Sequence, residues 1–363
     1  MYNKHYRNQE IIVKKISYKN YIVFGLIILF AVAAFSVILY QGLKPFLVSK
    51  NFSWIGSSAI IKTGEKARSL DGVYLSEGES EQYPVAVVID NKYEARPWSG
   101  LSYAGIIFEA PVEGGITRFL AIYSSSREIK KIGPVRSIRP YYLDWVSGYG
   151  ALFTHIGGSP AAMDEIANDA ELQSRNVDGY YTNDYFWRAS DRIAPHNSYT
   201  SSTLLEKART KLAASNINFS PWKFKSDNFS SERGNEKEIK IQFSIYSIYD
   251  AIWEYDKEKN IYMRKTSNNY AHDDDNALIL AKNIAVLETD IEIIDAVSRR
   301  EIRTTGSGNA LVFQDGKKIE GIWEKKDSLA MLRFYDKNGK EIEFNRGTTW
   351  VEVVSSLDAV KDK

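Results

Sequence analysis

The chain has no cysteine among its 363 residues. That excludes disulfides, thiol catalysis, cysteine-ligated zinc and a lipid-modified N-terminal cysteine. Histidine is scarce, with four residues, and the HExxH spacing of metallopeptidases does not occur. No metal site and no cofactor is therefore expected. Neither sign of charge dominates: 47 Lys and Arg face 46 Asp and Glu. Nucleic acid is not an expected partner, because bulk binding needs a basic surface. The glycine-rich TTGSGNA (304–310) lacks the phosphate-loop lysine, and HDDDN (272–276) lacks the glycine a calcium loop requires at its sixth position. No GxSxG nucleophile elbow is present.

Long apolar runs are also rare, with one exception. Residues 21–40 read YIVFGLIILFAVAAFSVILY, and the uncharged run extends from Asn20 to Leu43. At about 1.5 Å per residue this crosses a hydrocarbon core of about 30 Å. Lys4, Arg7, Lys14, Lys15 and Lys19 precede it against one acid, Glu10. The positive-inside rule then leaves residues 1–20 as a cytoplasmic tail, makes 21–43 a single transmembrane helix in the cytoplasmic membrane, and exports the rest. A cleaved signal peptide is the competing reading. It is disfavoured by the length of the run and by the lack of a small-x-small cleavage site.

Residues 44–82 are polar, dotted with Gly and Ser, and read as a stalk. Two domains follow on size grounds, 83–225 and 239–355, separated by the polar linker 226–238. Without disulfides they must be held by their own cores, which 44% hydrophobic residues can build. The expected class is α+β. In the first module PVAVVID (84–90), GIIFEA (105–110), TRFLAIYSS (117–125) and ALFTH (151–155) read as strands of a mixed sheet. Helices are expected from Pro140, from Ser159-Pro160, and over 202–214 with Thr200 or Ser201 as cap. The second module reads as a small antiparallel sheet or open barrel. Asp315-Gly316 and Asn338-Gly339 mark hairpins there, pairing 310–313 with 319–323 and 331–335 with 341–344. Ile252–Tyr255 and Ile261–Arg264 should pair around DKEKN.

Polar residues gather at the expected strand ends of the first module, where a sheet holds functional groups on a rigid frame. Asp90 closes the first strand, and Arg96 follows it. Glu109 and Glu113 flank Pro111, and Arg118 opens the next strand. Arg136 and Arg139 lie in GPVRSIRPYY, while Arg192, His196 and Asn197 lie in SDRIAPHNSYT. The arginines can clamp phosphate or carboxylate groups, or pair with Asp90, Glu109 and Glu113 in a structural network. His155 enters THIGGSP. There Gly157, Gly158 and Ser159 precede a helix, which gives either an anion-binding turn or an ordinary serine-capped one. His155 or His196 beside a carboxylate such as Glu113 can do acid–base work at neutral pH; either can also be a satisfied structural histidine. The aromatic groups Tyr141, Tyr142, Trp145 and Tyr180, Tyr181, Tyr185, Phe186, Trp187 read as core or as a stacking groove.

The run PVAVVIDNKYEARPWSGLSYAGIIFEAPVEGGITRFLAIYSS (84–125) resembles the YerB-like bacterial lipoproteins, a two-module family of undefined function. GPVRSIRPYY, HIGGSP and APHNSYT are similar to its later motifs, and IEGIWEKKD and RFYDKNGKEIEFNRGTTWVEVV to its C-terminal module. The resemblance implies a surface-anchored envelope protein with an α/β module before a β-rich one. Members are tied to the membrane through a lipid-modified cysteine, for which this chain offers a transmembrane segment instead. Trp98 and Gly105 stand where the pattern has polar residues.

The expected function is that of a membrane-anchored, extracytoplasmic accessory protein. It would bind an anionic or glycan envelope polymer, or a cell-wall synthesis protein, through Asp90, Arg96, Glu109, Arg118, Arg136, Arg139, Gly157, Gly158, Ser159, Arg192 and Asn197. The alternative is a hydrolase or transferase acting on a phosphodiester or glycan, with His155, His196 and Glu113 doing the chemistry.

Overall fold

The computed structural model describes residues 66–363, except 213, 215, 216 and 268. The expected cytoplasmic tail, the membrane segment 21–43 and most of the stalk lie outside the described residues. Among the described residues, no helix is long and apolar enough to cross a membrane.

Ten strands build one mixed sheet. They are β1 (Glu81–Asp90), β2 (Ile106–Pro111), β3 (Thr117–Ser125), β4 (Leu152–His155), β5 (Asn176–Asp178), β6 (Asn283–Glu288), β7 (Gly306–Gln314), β8 (Lys317–Lys325), β9 (Arg333–Asp336) and β10 (Thr349–Val354). Their spatial order is β9-β8-β7-β6-β10-β2-β3-β1-β4-β5. The parallel pairing of β2 with β10, from Ile106 opposite Thr349 to Glu109 opposite Glu352, makes the sheet continuous between the two halves of the chain. The C-terminal strands therefore do not close into a barrel. Five of them extend the first module's sheet. Others form a second sheet, in the order Asn269–Tyr270, Ile261–Thr266, Ala251–Asp256, Glu238–Ile241 and Val360–Asp362, with Leu280–Ala281 also paired to Ile261–Thr266.

The large sheet is covered on both faces, and strand alternation assigns each residue to one side. Ala86, Val88, Ile106, Phe108, Leu120, Ile122, Val351 and Val353 face one core. The helices α1 (Pro140–Ser147), α2 (Pro160–Asn168) and α3 (Ala170–Arg175) cover it with Tyr142, Trp145, Ile166 and Leu172. Phe108 and Trp145 stack there, centroids 5.0 Å apart. Val85, Val87, Ile89, Ile107, Phe119, Ala121 and Trp350 face the other core. It is closed by the second sheet (Ile239, Trp253, Tyr262) and by helix α4 (Ser202–Lys211) through Leu205 and Ala208.

The local signals behave as their chemistry requires. Pro140 and Pro160 open α1 and α2. Ser159 and Ser201 cap α2 and α4, each accepting a backbone N–H three residues on. Asp315 and Gly316, at φ 54° and 64°, make the tight turn joining β7 to β8. The Asn338-Gly339 hairpin is reduced to one bridge, Tyr335 to Glu341, because Phe344–Asn345 pairs with Phe224–Lys225 instead. Residues 66–80 fold against the body, with Leu70 and Asp71 buried and the Gly347 amide donating to the Asp71 carbonyl.

Candidate functional site

β1, β2, β4 and β5 all run the same way, and β3 runs against them. Asp90, Pro111, His155 and Asp178 thus end strands, and Thr117 begins one, along a single edge of the sheet. At that edge one step along the chain changes the face. Asp90 points to the helical side and Asn91 to the other, and part of the predicted site residues falls accordingly into two groups.

On the helical side Asp90 is 2% exposed. Its Oδ2 lies 2.6 Å from His196 Nδ1 and 3.1 Å from Arg136 Nε. Its Oδ1 accepts the Lys92 amide at 3.0 Å. Asp90 so fixes the imidazole by one nitrogen, and among the described residues His196 Nε2 has no partner. Arg118, the register partner of Asp90 on β3, is buried and donates from Nη1 to the Ser137 carbonyl at 2.7 Å. Its Nε is buried without a partner, and among the described residues no carboxylate forms an ion pair with it. Burial first, and then the neighbouring Arg139, push its pKa below the ordinary guanidinium value. Arg139 forks both oxygens of Glu113, at 2.6 and 2.7 Å. Burial pulls the Glu113 carboxyl up, but the Arg139 fork outweighs it and holds the pKa low. Glu113 is thereby fully engaged as a structural acceptor.

On the opposite side Glu109 is wholly buried. Its Oε1 accepts from Thr117 Oγ1 at 2.5 Å and from Asn91 Nδ2 at 3.2 Å. Arg96 donates from Nε to Asn91 Oδ1 at 3.1 Å and packs over Trp98 and Tyr249. Its pKa falls to about 10, through burial and then through the nearby Arg264. Arg264 Nη2 sits 2.7 Å from Glu109 Oε2 and Nη1 3.5 Å from Glu352 Oε1. Arg264, Glu352 and Trp253 belong to this cluster but carry no motif of their own. The available signal was an acid inside the apolar strand TWVEVV.

The remaining predicted residues stand apart. His155 is fully buried, with Nδ1 2.8 Å from the Gly157 carbonyl and Nε2 2.7 Å from Asn176 Oδ1. Gly157 N donates to Asp178 Oδ1 at 2.8 Å, and Ser159 N to the Ile138 carbonyl at 3.2 Å. The Gly157-Gly158-Ser159 turn thus already serves a carboxylate of its own chain, and Ser159 caps α2. Arg192 spends its guanidinium on the Arg96 and Pro97 carbonyls, and Asn197 Oδ1 accepts from Arg188. A cleft of about 850 Å³ lies elsewhere, lined by Gly148, Arg175, Phe219, Lys326, Met331 and Tyr335 among others, and contains none of the predicted residues. Among the described residues, no group of three His, Asp or Glu side chains is placed to hold a metal ion.

The helical-side group sets three arginines against two carboxylates, Asp90 and Glu113, on a two-sided α+β scaffold. Residues 70–216 match the N-terminal domain of the family described as protein of unknown function (DUF3048), and residues 239–351 match its C-terminal domain. The chain belongs to this family. It is 33% identical over 306 residues to a protein of Bacillus subtilis (strain 168) whose name calls it a lipoprotein, YerB; the match covers 83% of this chain and 90% of that one. The crystal structure of the YerB protein from Bacillus subtilis superposes with a TM-score of 0.73 at 31% identity, covering 82% of this chain and all of the other.

Proposed function

We propose that this chain is a membrane-anchored protein of the extracytoplasmic envelope that holds an anionic ligand at the edge formed by Asp90, Arg118, Arg136 and His196. The segment 21–43 supplies the anchor in a sequence that has no cysteine to carry a lipid. The lipoprotein name of the relative supports the compartment.

The observation that carries the reading is Arg118. A buried guanidinium with no carboxylate partner is expensive in free energy, and an incoming phosphate or carboxylate offsets that cost. Arg136, whose side chain is 26% exposed and already oriented by Asp90, forms the solvent-side jaw. The test is thermal unfolding of the full chain against rising inorganic phosphate. A ligand that binds only the folded state raises Tm with concentration. Arg118→Met should abolish that rise and leave the unliganded protein as stable or more stable. A wild-type Tm indifferent to phosphate and to carboxylate polymers sinks the reading.

A second reading is favoured by the Asp90–His196 pair. A carboxylate on Nδ1 with Nε2 unpartnered is the arrangement of a general base or acid. On that reading the chain hydrolyses or transfers a phosphodiester or glycan. Release of product from a phosphodiester probe by the wild type, lost in His196→Ala, would support it over pure binding.

A further inference from the structure

Two of the exposed tyrosines do not behave as isolated surface rings. Tyr180 and Tyr181 follow β5 after Gly179, are 73% and 76% exposed, and meet edge to face with centroids 5.2 Å apart. Their backbone is pinned: the Tyr180 amide donates to Asp178 Oδ1 at 2.9 Å and the Tyr181 amide to the Asp178 carbonyl. The pair is therefore presented from the sheet edge on a fixed stem, and ring packing within the core does not explain it. The Tyr180 ring borders Gly157, where an added Cβ would lie 3.9 Å from it. The Gly157 carbonyl accepts the Ile138 amide, and the Ile156 amide donates to the Arg136 carbonyl. The rings thus border the backbone layer that carries Arg136. On the other flank Tyr93, 61% exposed, follows Asp90 by three positions, beside the Lys92 amide that Asp90 holds.

We propose that the ligand of this edge is a glycosyl phosphate: a phosphate monoester or diester whose alcohol component is a sugar ring, seated with the phosphate on Arg118 and Arg136 and the sugar against Tyr180 and Tyr181. This rests on the anion site proposed above and specifies its ligand. An aromatic face is apolar but tolerates a wet rim, which matches the C–H face of a pyranose bordered by hydroxyls. The guanidinium fork matches phosphate oxygens. Both chemistries stand at one edge of the sheet, linked through the hydrogen-bonded backbone of Arg136, Ile138, Ile156 and Gly157.

The experiment compares three probes on the full chain by calorimetric titration: inorganic phosphate, methyl phosphate and glucose 1-phosphate. Glucose 1-phosphate should bind about tenfold more tightly than methyl phosphate, which has the same charge and no ring. The double variant Tyr180→Ala/Tyr181→Ala removes only exposed side chains. It should erase that advantage and leave methyl phosphate affinity unchanged. If the wild type binds all three probes equally, or the double variant keeps the preference, the sugar platform is overturned while the anion site stands. If none of the three binds, the anion site itself fails, and this inference with it.

Discussion

Glu109 and Glu352 face each other across the parallel β2–β10 pair, both wholly buried, with one guanidinium, Arg264, between them. Two carboxylates and one cation would leave a buried negative charge. Burial, and then the adjacent Glu109, push the Glu352 pKa well above the carboxylate range. Glu352 is thus the carboxyl driven toward its protonated form. Glu109 receives the Thr117 hydroxyl, the Asn91 amide and the closer arm of Arg264. Glu352 accepts from Trp253 Nε1 at 3.0 Å. The cluster joins both halves of the chain.

The two glutamates should therefore respond differently to the same substitution. Glu352→Gln replaces a neutral acid by a neutral amide of the same shape and should cost less than about 1 kcal/mol. Glu109→Gln leaves Arg264 buried without its counter-charge and should cost about 3–5 kcal/mol. Urea unfolding at pH 7 decides between them. Equal costs would mean that the proton is shared rather than held by Glu352.

A separate group sets a pH dependence. Burial, followed by Asp144 and Asp169, raises the pKa of Glu165 on α2 to about 7. A carboxyl whose folded pKa lies above its unfolded value favours the fold while protonated. That contribution is complete below the unfolded pKa and is lost as pH rises through about 7. Glu165 is partly solvated, so the loss is screened to about 1–2 kcal/mol between pH 5 and 8. Asp273, raised to about 6 chiefly by burial, acts in the same direction at lower pH. The informative quantity is consequently a difference. Glu165→Gln should be about as stable as wild type at pH 5 and more stable at pH 8. Parallel stability curves for the two proteins would exclude Glu165 as the source.

The frame of the first module was legible because its strands are buried on both faces and so read as continuous β-branched runs. Three of its helices announced themselves through Pro140, Ser159-Pro160 and Ser201, whereas α3, capped by Asp169, was not anticipated. The joining of the two halves was not legible. Pairing of β2 with β10 links residues more than 240 positions apart, and nothing local in IIFEAP or TWVEVV names the partner. The polar residues of the edge were found as a set, but their division into two was not. That division follows from strand phase at a single position, Asp90 against Asn91, and phase is known only once the covering layers are known. The same limit applied to the rings. Tyr141, Tyr142 and Trp145 are core, whereas Tyr180 and Tyr181 stand in solvent, though both groups are equally aromatic in sequence.

The two edge histidines offer the sharpest contrast. His155 has both ring nitrogens engaged inside the fold and stacks on Phe153, centroids 5.8 Å apart. His155→Phe retains the ring but leaves the Asn176 side chain without its partner and the Gly157 carbonyl with the Ile138 amide alone, so it should cost about 1–3 kcal/mol. It should leave the phosphate-induced rise in Tm unchanged. His196 is held by one nitrogen at the rim, so His196→Ala should cost about 1 kcal/mol or less of stability. It frees Asp90 to draw Arg136 inward, away from an incoming anion, and should lower phosphate affinity several-fold. Thermal unfolding of both variants with and without phosphate reads the two effects at once. The decisive pattern is a crossed one, with stability lost in His155→Phe and ligand response lost in His196→Ala. If ligand response instead follows His155, the anion site lies at the Gly157 turn and not at Arg118.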